Sequence, residues 1–441
     1  METREEETTQ TPPAVEEKEK IPSPDPELGQ ERIQSGDSTK PDFDPPPDGG
    51  LRAWLVTVGA ACITFSALGF TNAFGVFEEF YLSHQLTEKS PDDIAWIGSI
   101  AAFLQFAVGA VAGPVFDRYG IWILRPAIVT FVFALMMVSI CKEYWQFMLA
   151  QGILLGFALG FLTFPPLGAL SQYFDKKRGA AFGLAISGSS IGGIVFPIAL
   201  SKMLNNSSLG FGWSVRIMAF VLLPLMAFAC IFVKPRLPPR TTTFFIWKAF
   251  QEANFVLLIA ALFFIFMGMW MPLFYLPSYA VSQGMDPTLA SYLLAILNGA
   301  STFGRIVPGI LADKLGRLNV FAAGALSTGV LIFCLTKADT TAGLVVYAVF
   351  VGFASGTIIS GATAAFTLCT GSPQEAGTYM GQGLAIGSLA SLIGPPVNGA
   401  LVKHYGGYWE ASIFSGVMCL IGGFIAFASK AATSKGIMGK V

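Results

Sequence analysis

Gly113-Pro114-Val115-Phe116-Asp117-Arg118-Tyr119-Gly120 returns further along the chain as Gly309-Ile310-Leu311-Ala312-Asp313-Lys314-Leu315-Gly316, with both glycines, the acid and the base after it in matching places. The offset is constant: 309 − 113, 313 − 117 and 316 − 120 all equal 196. The same offset carries Gly156 and Gly160 onto Gly352 and Gly356, and Gly183-Leu184-Ala185-Ile186 recurs as Gly383-Leu384-Ala385-Ile386, 200 residues on. One coincidence of small residues can arise by chance in a chain with 48 glycines. Three registers in the same order indicate two homologous halves.

Around these repeats, apolar runs of about twenty residues recur, each long enough to cross ~30 Å of hydrocarbon as a helix. They lie near 53–77, 94–115, 121–141, 145–170, 179–203, 212–233, 253–281, 288–311, 318–336, 340–367, 377–402 and 408–429. The sequence therefore predicts an all-α membrane protein with twelve transmembrane helices in two pseudo-symmetric six-helix halves. The first half covers residues 51–240, including the start of a central loop, and the second covers 241–430. Composition agrees, since 53% of residues are hydrophobic and 12% charged, where a soluble domain carries roughly 25% charged residues.

Half of the acidic residues, 14 of 28, fall in residues 1–50, together with nine prolines. Such a segment cannot bury enough apolar surface to offset chain entropy and is expected to form a disordered cytoplasmic tail. Residues 431–441 are expected to form a second cytoplasmic tail. With the N terminus inside, Arg118, Arg125, Lys176, Lys177, Arg178, Lys314 and Arg317 fall at cytoplasmic ends, as positive loops should. Asn205 and Asn206 then face outward as glycosylation candidates. The expected address is the plasma membrane, with the vacuolar membrane as the alternative.

Arg305 stands out within the eighth span, about two turns from the nearest charge, Asp313. A guanidinium near a bilayer centre costs at least ~2.5–3.5 kcal/mol, so it should face the bundle interior or a water-filled cavity. It is the leading candidate for an anion site; the alternative role is a buried Arg that caps backbone carbonyls between helices. Asn298, seven residues earlier, lies two turns away on the same face. Asn72, Phe77, Tyr275, Tyr279 and Ser355 are the other polar or aromatic groups at membrane depth that are candidates to line the site. The motif residues Asp117, Arg118, Asp313, Lys314 and Arg317 are candidates for a conformational latch at helix ends.

Two parallel six-span halves are the architecture of the major facilitator superfamily, which the chain resembles over roughly residues 51–430. Asp48-Gly49-Gly50-Leu51-Arg52-Ala53-Trp54 resembles the opening motif of its monocarboxylate porter family in fungal form, and Tyr173-Phe174-Asp175-Lys176-Lys177-Arg178 is similar to that family's second signature. Trp54 reads as an interfacial anchor. The resemblance places Arg305 on the family's substrate-pairing arginine. Ser301 and Val76 stand where the animal lactate carriers have the Asp and Lys thought to couple protons. It implies a transporter of a small organic anion or amphipathic metabolite working by alternating access, secondary active or facilitative. An efflux carrier for a fungal secondary metabolite and a non-transporting receptor of the same fold are the alternatives.

The six cysteines are scattered, the only histidines are His84 and His404, and no phosphate-binding glycine loop occurs. No enzyme activity, cofactor, metal or nucleic-acid partner is expected. The expected partners are the lipid bilayer and a small-molecule organic acid or metabolite, with any accessory membrane protein unidentified.

Overall fold

The structure is a computed structural model that describes residues 44–89, 91–205, 208–238 and 245–431. The expected N-terminal tail before residue 44 and the C-terminal tail after 431 lie outside the described residues, as do Asn206 and the side chain of Asn205.

Hydrocarbon offers no water to backbone amides, so each crossing must satisfy its own hydrogen bonds as a helix. No strand occurs among the described residues. The helices are α1 (Gly50–Thr71), α2 (Phe74–Phe80), α3 (Pro91–Ala107), α4 (Gly109–Tyr119), α5 (Leu124–Val138), α6 (Tyr144–Phe147), α7 (Leu155–Ser171), α8 (Arg178–Asn205) and α9 (Gly210–Phe232) in the first half. The second half contains α10 (Ala253–Met269), α11 (Met271–Ser282), α12 (Pro287–Leu315), α13 (Arg317–Phe333), α14 (Thr341–Phe366), α15 (Ala376–Tyr405) and α16 (Trp409–Ala431). Eleven helical stretches among the described residues are long and apolar enough to cross a membrane. One of them, Trp96–Val138, has 43 residues, about 65 Å at 1.5 Å per residue and too long for a single crossing. It breaks at Gly120, whose φ of +69° favours glycine, and its two parts bring the expected crossings to twelve.

The repeated glycines show why the halves match. A methyl group added at Gly156 or Gly160 would press on Ala101, Leu104 and Val108, so these glycines let α7 sit against α3. Gly352 and Gly356 do the same for α14 against Leu297, Ser301 and Gly304 of α12. Small residues let helix backbones approach where lipid supplies no hydrophobic drive for association.

The two signature motifs, far apart in sequence, meet at one end of the bundle. The Asp48 N–H donates to the Tyr173 carbonyl (3.1 Å), and its carboxylate accepts from the Asp175 and Lys177 N–H groups at 2.7 and 3.3 Å. Trp54 stacks edge-on to Phe174 with centroids 5.2 Å apart, so it packs on the loop rather than standing free among headgroups. The Tyr173 hydroxyl donates to the Lys234 carbonyl (3.0 Å), and the Gln172 side-chain oxygen accepts from the Arg236 and Leu237 N–H groups. The opening motif thus clasps the α7–α8 loop, which in turn holds the chain leaving α9. Asp48→Ala is expected to cost about 1–2 kcal/mol, the worth of charge-assisted hydrogen bonds at a partly exposed site. Detergent melting curves of wild type, Asp48→Ala and Asp48→Asn check this; identical midpoints for all three would remove the clasp as a stabilising element.

Candidate functional site

Two of the crossings at which the halves touch repeat the same design. In one, Gly113 and Gly109 of α4 lie against Gly377 and Gly381 of α15; in the other, Gly309 and Arg305 of α12 lie against Gly179 and Gly183 of α8. Adding a methyl group at Gly381 would overlap the Gly109 carbonyl oxygen, and adding one at Gly183 would overlap that of Arg305. The structural counterpart of Gly183 is therefore Gly381, at an offset of 198 (381 − 183), whereas the sequence match pairs it with Gly383. Gly383 instead faces the Phe366 ring. What repeats in space is a pair of glycines four apart, Gly179 with Gly183 and Gly377 with Gly381, because backbone proximity selects spacing rather than the identity of intervening residues.

Each crossing ends on an acid from the opposite half. The Asp117 carboxylate accepts from the Thr378 N–H and hydroxyl, both at 2.7 Å, in the first turn of α15. Asp313 accepts from the Gly179 and Ala180 N–H groups at 2.7 and 2.9 Å, in the first turn of α8. A carboxylate at a helix N-terminus satisfies orphan amides and meets the positive end of the helix dipole. The bases of the motif behave differently. Arg118 and Lys314 are exposed, with Arg118 over the Tyr119 ring. Arg317 instead crosses to the other half, donating to the Asp175 carbonyl and lying 3.8 Å from its carboxylate. Arg178 turns back into its own loop, donating to the Phe174 carbonyl at 2.8 Å. Both acids are engaged, so the bundle is closed at this end.

Arg305 breaks the symmetry. Its backbone occupies the place that Gly109 holds in the other crossing, but its side chain runs along α8 toward the middle of the bundle. It is 4% exposed. Its Nη1 donates to the Ile186 carbonyl at 2.8 Å and to the Ser189 hydroxyl, while its Nε has no hydrogen-bond partner. No Asp or Glu among the described residues lies within ion-pair distance of it; Ser301, a turn earlier, is buried with its carbonyl against Gly356. Arg305 thus caps a backbone carbonyl between helices in this conformation and has no acidic partner among the described residues.

Two of the sequence-identified polar residues gather beside it. Asn72 and Asn298 both abut the Gly193 backbone, one turn along α8 from Ser189. The Asn72 amide reaches the Ser189 carbonyl at 3.5 Å, and the Asn298 amide donates to its own helix at Leu294, 3.0 Å away. Asn72 is exposed although it sits inside the 36-residue apolar stretch Gly50–Gln85, at the break between α1 and α2. The other candidates have partners of their own. Tyr275 donates to the Pro395 carbonyl at 2.9 Å, and Tyr279 packs edge-on to Tyr408 with centroids 5.3 Å apart. Ser355 is buried and donates to the Gly352 carbonyl at 3.2 Å. Phe77 is fully buried among Phe70, Tyr81 and Phe211.

Sequence reading missed Ser189 and the Ile186 carbonyl, because Ser189 belongs to no repeat or motif and a backbone carbonyl leaves no mark in the sequence. It also passed over Ser190 and Gln382, whose buried side-chain oxygens lack partners among the described residues. The signal available was the density of hydroxyls on α8 at the depth of Arg305. Among the described residues no three His, Cys, Asp or Glu side chains are grouped to hold a metal. In the loop before α15, burial pushes the Cys369 thiol up to about 12, so it stays protonated at neutral pH.

Comparison with known proteins gives a consistent picture. The family model described as Major Facilitator Superfamily matches residues 59–383 and again 284–437. The chain is 47% identical over 390 residues to the aspyridones efflux protein apdF of Emericella nidulans, covering 88% of this chain and 80% of that protein. It is 39% identical over 398 residues to the agnestins efflux protein AgnL12 of Paecilomyces divaricatus, covering 88% and 90%. It is 37% identical over 410 residues to the fujikurins efflux protein of Gibberella fujikuroi, covering 90% and 86%. Among solved structures, the human organic anion transporter MFSD10 (TETRAN) superposes with a TM-score of 0.68 over 86% of this chain and all of that one, at 14% identity. That likeness concerns the fold alone. The names of the three relatives speak of efflux and not of monocarboxylates.

Proposed function

The chain belongs to the major facilitator superfamily, and on that premise we propose that it exports an anionic, amphipathic metabolite by alternating access, with Arg305 as its anion contact. The observation that carries the efflux reading is the 47% identity, over most of both chains, to a protein named for efflux. It favours export of a larger metabolite over carriage of a short monocarboxylate, the first expectation from the motifs. The anionic character of the cargo rests on Arg305, a buried cation with no counter-charge among the described residues. A charge held only by neutral acceptors favours an anion that can take their place.

With both termini cytoplasmic, as the Lys and Arg distribution supports, the crossings capped by Asp117 and Asp313 seal the inner end. The conformation described is then the one from which cargo leaves outward. The plasma membrane is the proposed address.

Direction of movement is the test. Cells expressing the protein and loaded with pyrenebutyrate, an aromatic amphipathic carboxylate, should lose it several times faster than cells without the protein. Loss of acetate or lactate should not change. Equal pyrenebutyrate loss in both cell lines, with accelerated lactate movement, would return the reading to a monocarboxylate carrier.

A further inference from the structure

Every hydrogen bond of the Arg305 side chain ends on α8, in the opposite half, and every acceptor is neutral. Nη1 reaches the Ile186 carbonyl (2.8 Å) and the Ser189 hydroxyl. That hydroxyl donates to the same Ile186 carbonyl at 3.0 Å, which aims its lone pairs at the guanidinium. Ser189 is 3% exposed. Its own carbonyl is touched by the amide of Asn72, an exposed residue, so the post lies one contact from the protein surface. The arrangement satisfies geometry without compensating charge. A carboxylate offers both, through a parallel pair of charge-assisted bonds, but with both Nη1 hydrogens held by α8 and Nε buried, the parked guanidinium has no such pair to give.

We infer that Ser189 is a positioning residue that parks Arg305 on α8 as the Asp117 and Asp313 end closes, and that this parking competes with the bound anion and drives its release. The inference rests on the reading of Arg305 as the anion contact. While that end is open, α8 and α12 part and the guanidinium is free for cargo. Closure returns Ile186 and Ser189 to it, and the cargo loses its charged partner at the moment the opposite end admits water. Linkage then runs both ways: anion binding opposes the parked state as strongly as parking opposes anion binding.

Removing the post should therefore tighten binding while slowing turnover, a split that loss of mere packing does not produce. The test uses the full chain in lipid nanodiscs and proteoliposomes, with pyrenebutyrate as the anionic probe and pyrenebutanol as its neutral counterpart. Ser189→Ala should bind pyrenebutyrate about threefold to tenfold more tightly and transport it more slowly, with pyrenebutanol binding unchanged; Ser189→Thr, which keeps the hydroxyl, should behave as wild type. Amide deuterium exchange over residues 178–186 and 305–313 should rise in Ser189→Ala. It should rise in wild type on adding pyrenebutyrate, and should not respond to pyrenebutyrate in Arg305→Gln.

Wild-type exchange and affinity in Ser189→Ala, while Arg305→Gln still abolishes pyrenebutyrate binding, would overturn the inference and leave the anion contact standing. Equal pyrenebutyrate binding by wild type and Arg305→Gln would overturn it through its premise.

Discussion

Arg305→Gln is expected to lower pyrenebutyrate transport by about 100-fold or more, with pyrenebutanol binding unaffected. The glutamine is neutral and presents one amide where the arginine presents a charged fork, so the variant loses both the Coulomb attraction and the paired geometry. A charge-assisted hydrogen bond is worth roughly 1.5–3 kcal/mol, and each 1.4 kcal/mol is tenfold in affinity. Two such bonds lost from a water-poor site account for the size of the effect. Arg305→Lys keeps the charge without the fork and should fall between the two. Proteoliposome uptake at equal reconstituted amounts measures this. Undiminished flux in Arg305→Gln would remove the residue as the anion contact and leave it as the carbonyl cap that the geometry also displays.

Gly381→Val should be nearly as damaging, for a reason unrelated to ligand chemistry. The glycine faces the Gly109 backbone carbonyl across the α4 and α15 crossing, and backbone cannot swing aside as a flexible side chain would. Overpacking at such a place costs on the order of 3 kcal/mol, enough to move a balanced two-state equilibrium by roughly 100-fold. The variant should insert and fold but stay open at the Asp117 and Asp313 end, with transport reduced to about 1% of wild type. Spin labels at the exposed positions Lys176 and Lys248, one in each half and in a cysteine-free background, should report a longer distance than in wild type. Gly75→Val provides the control, because nothing lies within 4 Å of an added methyl there. Normal flux and an unchanged label distance in Gly381→Val would mean that this crossing does not close during the cycle.

Some features were legible in the chain because their cause is local. An apolar run of about twenty residues makes a membrane helix whatever its neighbours do, and Arg305 declared itself by a cost that depends only on depth. The paired Gly-x-x-x-Asp motifs were readable as a repeat, and helical spacing alone put Asn298 on the face of Arg305; both lie against α8. Tyr275, Tyr279, Ser355 and Phe77 show the limit of that reasoning. Depth marks a side chain as unusual without saying which neighbour receives it, and each of these is accounted for by a carbonyl or an aromatic partner in its own half. The clasp between Asp48 and the α7–α8 loop lay further out of reach. It depends on the left-handed backbone of Asp48, at φ +50°, and on a loop about 125 residues away.

The sequence by itself determined the number of crossings, the twofold repeat and the cation at mid-membrane depth, since hydropathy and repetition are properties of the chain taken in order. Only the tertiary structure decided that Asp117 caps α15 and Asp313 caps α8, that Gly183 answers to Gly381, and that Arg305 rests on Ile186 and Ser189. These are choices among partners in the other half. They are made by how closely two backbones can approach at a glycine and by which orphan amide or carbonyl is left at that point, and neither quantity exists until the helices are packed.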